Sequence, residues 1–177
     1  MEISGKNFKI LLTREEIDAR VEVLAKEIAD DARGKNPLFL VNLTGAMFFA
    51  CDLLKRIDYP CEVYPMKFSS YVDNRSSMEV KEDLFPDIDL EGRNVYVLED
   101  IADTGLTVHS LSAFLKDKGC ATCKIAVLLV KPDKLQVPLK IDYYGFEIGD
   151  DYVAGYGLDV DFTGRNLKDI YVMTDNL

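Results

Sequence analysis

The chain has 177 residues and a mass of 20.0 kDa, with 48% hydrophobic and 29% charged residues. That points to a single domain able to fold without a disulfide or metal staple. A net charge of −10 and a pI near 4.6 exclude a broadly basic face, and with it sequence-independent binding to nucleic acid or an anionic membrane. No apolar run is long enough to span a bilayer, and Met1 to Asn7 lacks the basic-then-apolar order of a secretory signal, so a cytoplasmic protein is expected.

The first predicted element is a helix. Thr13 and Glu16 have the spacing of a capping box, and Ile17, Val21, Leu24 and Ile28 follow at helical intervals until Gly34. Residues 37–41 read as a short buried strand leading into Leu43-Thr44-Gly45. A second helix carries Phe48, Phe49, Leu53, Leu54 and Ile57 on its apolar side and breaks at Asp58-Tyr59-Pro60. Residues 61–68 form the next strand. From 69 to 93 the chain is polar, and 69–77 is expected to be a long loop or a hairpin with a mobile tip.

Residues 95–98 are a continuous apolar strand ending in Glu99 and Asp100. A helix over 104–118 closes at Gly119, and 124–130 is another buried strand. Short strands are expected at 142–148, 152–156 and 170–173. Strand–helix alternation through residue 130 predicts an α/β fold with a mostly parallel twisted sheet flanked by helices, whose ligands bind at the carboxyl ends of the strands.

The four cysteines do not suggest a disulfide framework. Cys120 and Cys123 have C-x-x-C spacing, but no second such pair exists and His109 is the only histidine. The pair also falls between a helix and the following strand rather than opening a helix. Structural thiols are the expectation.

The chemistry concentrates in 95–107. A buried strand ends in Glu99 and Asp100, Asp103 follows, and Thr104-Gly105-Leu106-Thr107 runs into a helix. A helix N-terminus offers backbone N–H groups and a positive dipole end to phosphate, Gly105 permits close approach, and the threonines add hydroxyls. Bare acids would repel phosphate, so their work is to bind Mg²⁺ or sugar hydroxyls. The ligand expected is a phosphorylated sugar arriving with Mg²⁺. Read singly, Asp103 could be a helix cap and Glu99 and Asp100 solvated strand ends; the block as a whole fits that poorly.

Residues 97–105 closely resemble the phosphoribosyl-pyrophosphate (PRPP) signature of the type I phosphoribosyltransferases. Four further stretches resemble the hypoxanthine–guanine branch of that family: 43–49, Ser70-Tyr71, 128–131, and 152–159 with Arg165-Asn166-Leu167. The resemblance spans about residues 8–173. It implies a core over about 14–131 and a small hood built from about 1–13 and 132–177.

The activity implied is purine salvage: a purine nitrogen displaces pyrophosphate from PRPP, giving IMP or GMP. Glu99 and Asp100 would hold the ribose hydroxyls, and with Asp159 they would be the carboxylates associated with Mg²⁺. Asp103 would be the proton partner of the purine, and Asp103, Thr104, Gly105, Leu106 and Thr107 would cradle the 5′-phosphate. Leu43, Thr44 and Gly45, where the family often holds a cis peptide, and Arg165 would contact pyrophosphate. Lys131 would read the 6-oxo group, Tyr152 would stack on the purine and the Val153 backbone would read its far edge. Ser70 and Tyr71 would close over the reacting centre. The resemblance also implies a homo-oligomer, a dimer or tetramer. Among rivals, a nucleotide-sensing regulator on the same fold could dispense with Asp103, Lys131 and the Ser70-Tyr71 pair, all present here. A glycoside hydrolase would leave the phosphate cradle unused. A preference for xanthine keeps the same reaction class.

Overall fold

A computed structural model of the chain describes residues 1–72 and 78–174, with side chains outside 69–83. The chain opens with two strands, β1 (Glu2–Ile3) and β2 (Lys6–Leu12), before helix α1 (Arg14–Ala32). The α1 N-terminus has the capping box: Glu16 N–H donates to the Thr13 hydroxyl at 3.3 Å, and Thr13 N–H donates to the Glu16 carboxylate at 2.8 Å. Thr13→Ala is expected to cost about 1 kcal/mol of stability in urea unfolding, with the m-value unchanged.

Then follow β3 (Pro37–Asn42), α2 (Met47–Leu54), β4 (Glu62–Val72), β5 (Met78–Leu84), β6 (Asn94–Ala102), α3 (Leu106–Asp117), β7 (Thr122–Val130), β8 (Tyr143–Glu147), β9 (Val153–Ala154) and β10 (Ile170–Met173). α2 ends earlier than its apolar pattern suggested, although Ile57 beyond it is still buried. The polar stretch after Phe68 is not all loop. β4 runs on to Val72 and pairs antiparallel with β5, so the hairpin alternative holds for the strands; residues 73–77 lie outside the described residues.

The main sheet has the order β5-β4-β3-β6-β7-β8, with every strand parallel except β5. Side chains alternate between its faces as strand geometry requires. Phe39, Val41, Tyr96 and Leu98 pack against the buried stripes of α1 and α2, whereas Leu38, Leu40, Val95 and Val97 pack against Val108, Leu111 and Leu115 of α3. The chain lays down β3, places β4 on one side of it, and then returns to add β6 on the other. The carboxyl ends of β3 and β6 therefore flank the topological switch point, where such sheets open a crevice.

A second, antiparallel sheet has the order β1-β2-β10-β9 and joins segments from the two ends of the chain. β9 is shorter than the expected 152–156 strand because Gly155 (φ 97°), Tyr156 (φ 50°) and Gly157 (φ 106°) turn the chain through left-handed conformations. Tyr156 is buried, and its hydroxyl donates to Asp52 of α2 at 2.7 Å, fastening this turn to the core. Cys120 and Cys123 pack against the α3 side of the core, and burial raises both thiols, Cys123 to about 11. Neither is a poised nucleophile. Among the described residues no helix is long and apolar enough to cross a membrane.

Candidate active site

Glu99 and Asp100 lie where β6 leaves the core. Glu99 is only 6% exposed; its Oε1 accepts from Asn42 Nδ2 at 3.1 Å, while Oε2 is buried with no partner among the described residues. Burial, and then the charge of Asp100, push the Glu99 carboxyl well above its ordinary range, although the Asn42 bond opposes them. Burial likewise pushes Asp100 up to about 6, against the Ile101 N–H that donates to its Oδ1 at 2.8 Å and the nearby Arg165 charge. Two acids held this way favour a cation or hydroxyl donors between them.

Beyond them the chain turns at Gly105 (φ 78°) into α3, two residues later than expected, and Leu106 N–H donates to the Thr104 hydroxyl at 3.4 Å. A cavity of about 250 Å³ is lined by residues 99–105 with Thr107 and Val108. The first turn of α3 borders this space, so one cavity combines an anion-binding helix end with the acid pair.

The segment after β3 packs against Asp100. The Leu43–Thr44 peptide is cis, and Leu43 N–H donates to the Met66 carbonyl at 2.7 Å. A Cβ on Gly45 would fall inside the Asp100 carboxylate, and one on Gly157 would fall on the Gly45 carbonyl. Glycine at both places lets the β3 loop lie sandwiched between Asp100 and the β9 turn.

At the far end Lys131, buried after β7, places Nζ 3.5 Å from Asp103 Oδ2 and 4.0 Å from Asp150 Oδ1. Lys134, in a single turn of 3₁₀ helix, lies 3.3 Å from Asp103 Oδ1 and 2.6 Å from Asp150 Oδ1. The result is an alternating cluster of two lysines and two acids. Tyr152 is 45% exposed, with the Lys6 ammonium 5.6 Å from its ring centroid; buried Val153 pairs with Val172. Arg165 donates to the Gly157 carbonyl at 2.6 Å and pairs with Asp159 Oδ1 at 2.6 Å, while Asp159 Oδ2 accepts from Phe162 N–H at 2.8 Å.

Asp159 is thus engaged by Arg165. Among the described residues no three His, Cys, Asp or Glu side chains converge as a metal cage. Ser70 and Tyr71 lie on β4, paired through backbone with Val80 and Glu79, but their side chains lie outside the described residues. Sequence reasoning passed over Asn42, Lys134 and Asp150. Asn42 alone carried a signal, as the polar end of an otherwise apolar strand.

Fold and site together define an α/β protein that presents a buried acid pair beside the N-terminal end of α3 at the switch point of its sheet, the architecture of a phosphosugar-binding transferase. A model of the phosphoribosyl transferase domain matches residues 9–163. The chain is 38% identical to the hypoxanthine-guanine phosphoribosyltransferase of Aquifex aeolicus, an alignment covering 98% of this chain and 99% of the relative. The crystal structure of a hypoxanthine phosphoribosyltransferase from Staphylococcus aureus superposes with a TM-score of 0.88 at 32% identity, covering 94% of this chain and 91% of that one. A variant of the hypoxanthine phosphoribosyltransferase from Trypanosoma cruzi, in a ternary substrates complex, gives a TM-score of 0.87 at 38% identity, covering 94% and 95%. This chain belongs to the phosphoribosyltransferase family, in its hypoxanthine–guanine branch.

Proposed function

We infer that the chain is an enzyme of purine salvage that transfers the 5-phosphoribosyl group of PRPP to hypoxanthine or guanine, giving IMP or GMP and releasing pyrophosphate. What carries this reading is one cavity that joins the α3 N-terminus to a buried acid pair whose Glu99 Oε2 has no partner among the described residues. The 5′-phosphate binds to residues 103–107, with the ribose hydroxyls donating to Glu99 and Asp100. As the bond from C1 to pyrophosphate breaks and the bond to the purine nitrogen forms, positive charge grows on the sugar. The two carboxylates lie where that charge is stabilised.

Leu43, Thr44, Gly45 and Arg165 receive the pyrophosphate. Glu99 and Asp100, with Asp159 nearby, would hold Mg²⁺, which would supply positive charge to the leaving pyrophosphate. Lys131 donates to the 6-oxo group, and Asp103 takes the purine proton. Tyr152 stacks on the ring, and the Val153 backbone meets its far edge. Ser70 and Tyr71 on the β4–β5 arm cover the centre and keep water from PRPP. The enzyme acts in the cytoplasm as a dimer or tetramer.

The test is product formation from PRPP and Mg²⁺ with hypoxanthine, guanine, xanthine and adenine in parallel. Turnover of hypoxanthine or guanine but not adenine is expected. Failure with every base, nucleotide binding being retained, would make the protein a sensor on this fold. Lys131→Met is expected to lower kcat/KM for hypoxanthine about 10²-fold, because a buried 6-oxo group loses its charged donor. Initial rates at limiting hypoxanthine measure it.

A further inference from the structure

Asn42 is the last residue of β3 and its only polar side chain; it is buried, and none of the steps above uses it. Its carboxamide makes three hydrogen bonds inside the protein. Phe68 N–H donates to Oδ1 at 2.9 Å, and Nδ2 donates to the Phe68 carbonyl at 3.2 Å and to Glu99 Oε1 at 3.1 Å. The partners fix the amide's orientation: a backbone N–H requires the oxygen and a backbone carbonyl requires the nitrogen.

The place explains the residue. Main-chain pairing of β3 with β4 reaches Asn42 opposite Met66, after which the chain leaves into the cis Leu43–Thr44 peptide. The Asn42 side chain, chemically a peptide group, supplies one more rung to β4 and directs its remaining N–H across to β6. It bridges the fork between β3's two neighbours at the switch point. Phe68 is also where β4–β5 pairing shifts register, at the root of the arm that carries Ser70 and Tyr71.

We propose that Asn42 is a positioning residue for PRPP: it holds Glu99 by Oε1, leaves Oε2 presented to the ribose, and ties that carboxylate to the root of the β4–β5 arm. A buried carboxylate without this donor turns to seek another and loses its aim. The role presupposes the phosphoribosyl transfer proposed above.

The test is steady-state kinetics of the full chain with Mg²⁺, PRPP and hypoxanthine for Asn42→Val, Asn42→Asp, Glu99→Gln and the Asn42→Val/Glu99→Gln double variant. Asn42→Asp keeps an acceptor for Phe68 N–H and, once ionised, has no donor for Glu99, so assayed at alkaline pH it keeps the question open to test even if Asn42→Val does not fold. With cooperative thermal melting retained, KM for PRPP is expected to rise about tenfold while KM for hypoxanthine changes less than about twofold. The double variant should be scarcely worse than Glu99→Gln alone. An unchanged KM for PRPP in a folded variant overturns the role, as does a parallel rise in both KM values or full additivity in the double variant. If the unsubstituted chain turns over no base, phosphoribosyl transfer itself falls, and this role with it.

Discussion

Gly45→Ala is expected to lower kcat/KM for PRPP by about 10²-fold or more while the protein stays folded. The new methyl group would occupy the space of the Asp100 carboxylate, so one of the two must move. Asp100 has little freedom, since Ile101 N–H holds its Oδ1 at 2.8 Å in a buried setting. The backbone cannot yield towards the β9 turn either, because Gly157 already rests on the Gly45 carbonyl and is itself held by Arg165 at 2.6 Å. A shift of about 1 Å at a reacting centre is enough for a loss of that size. Initial rates at varied PRPP, alongside binding of inorganic phosphate to the cradle after Asp103, separate the two ends of the site. Phosphate binding should survive, because the atoms nearest the new methyl group all belong to Asp100. Wild-type kcat/KM in Gly45→Ala would show that loop and carboxylate are not locked together.

Much of this arrangement was legible in the amino-acid order. β3, β6 and β7 are buried on both faces and read as unbroken apolar runs; α1 announces itself through Thr13, Glu16 and a regular apolar stripe. The acid pair and the turn into α3 were visible because 99–107 is contiguous, so the segment needs no long-range contact to be recognised. β2 was not visible. In Lys6–Leu12 only Phe8 is buried, and the strand exists because β10, from the other end of the chain, pairs with it. A strand was expected over 152–156, but Tyr156 is held by Asp52 inside a left-handed turn. Lys131 looked like an ordinary strand-end lysine apart from its family resemblance; its burial beside Asp103 depends on how the turn after β7 folds back. Asn42 showed only as the polar end of an apolar strand; its role stayed hidden because its partners Phe68 and Glu99 lie 26 and 57 residues away.

Asp100→Asn is expected to make the ligand-free protein more stable at neutral pH and nearly inactive. In the folded chain burial pushes Asp100 up to about 6, from an ordinary value of 3.8. Between those two values the unfolded chain holds fewer protons than the folded one, so stability falls as pH rises through the interval and remains reduced above it. A displacement of about two units corresponds to up to about 3 kcal/mol. Asparagine keeps an acceptor for Ile101 N–H but never ionises, so it escapes this loss. The variant should melt several degrees higher at pH 7.5, at roughly 2–4 °C per kcal/mol for a chain of this size, and the advantage should vanish near pH 4. An advantage undiminished at pH 4 would assign the gain to packing instead of charge. Saturating PRPP with Mg²⁺ should narrow the gap at pH 7.5, since ligands that answer the two carboxylates remove the cost of keeping them ionised. Asparagine cannot offer that charge to a cationic sugar, so kcat should fall along with the affinity for PRPP. The instability of the empty site and the stabilisation of the transition state then have one source: carboxylates buried before their partners arrive.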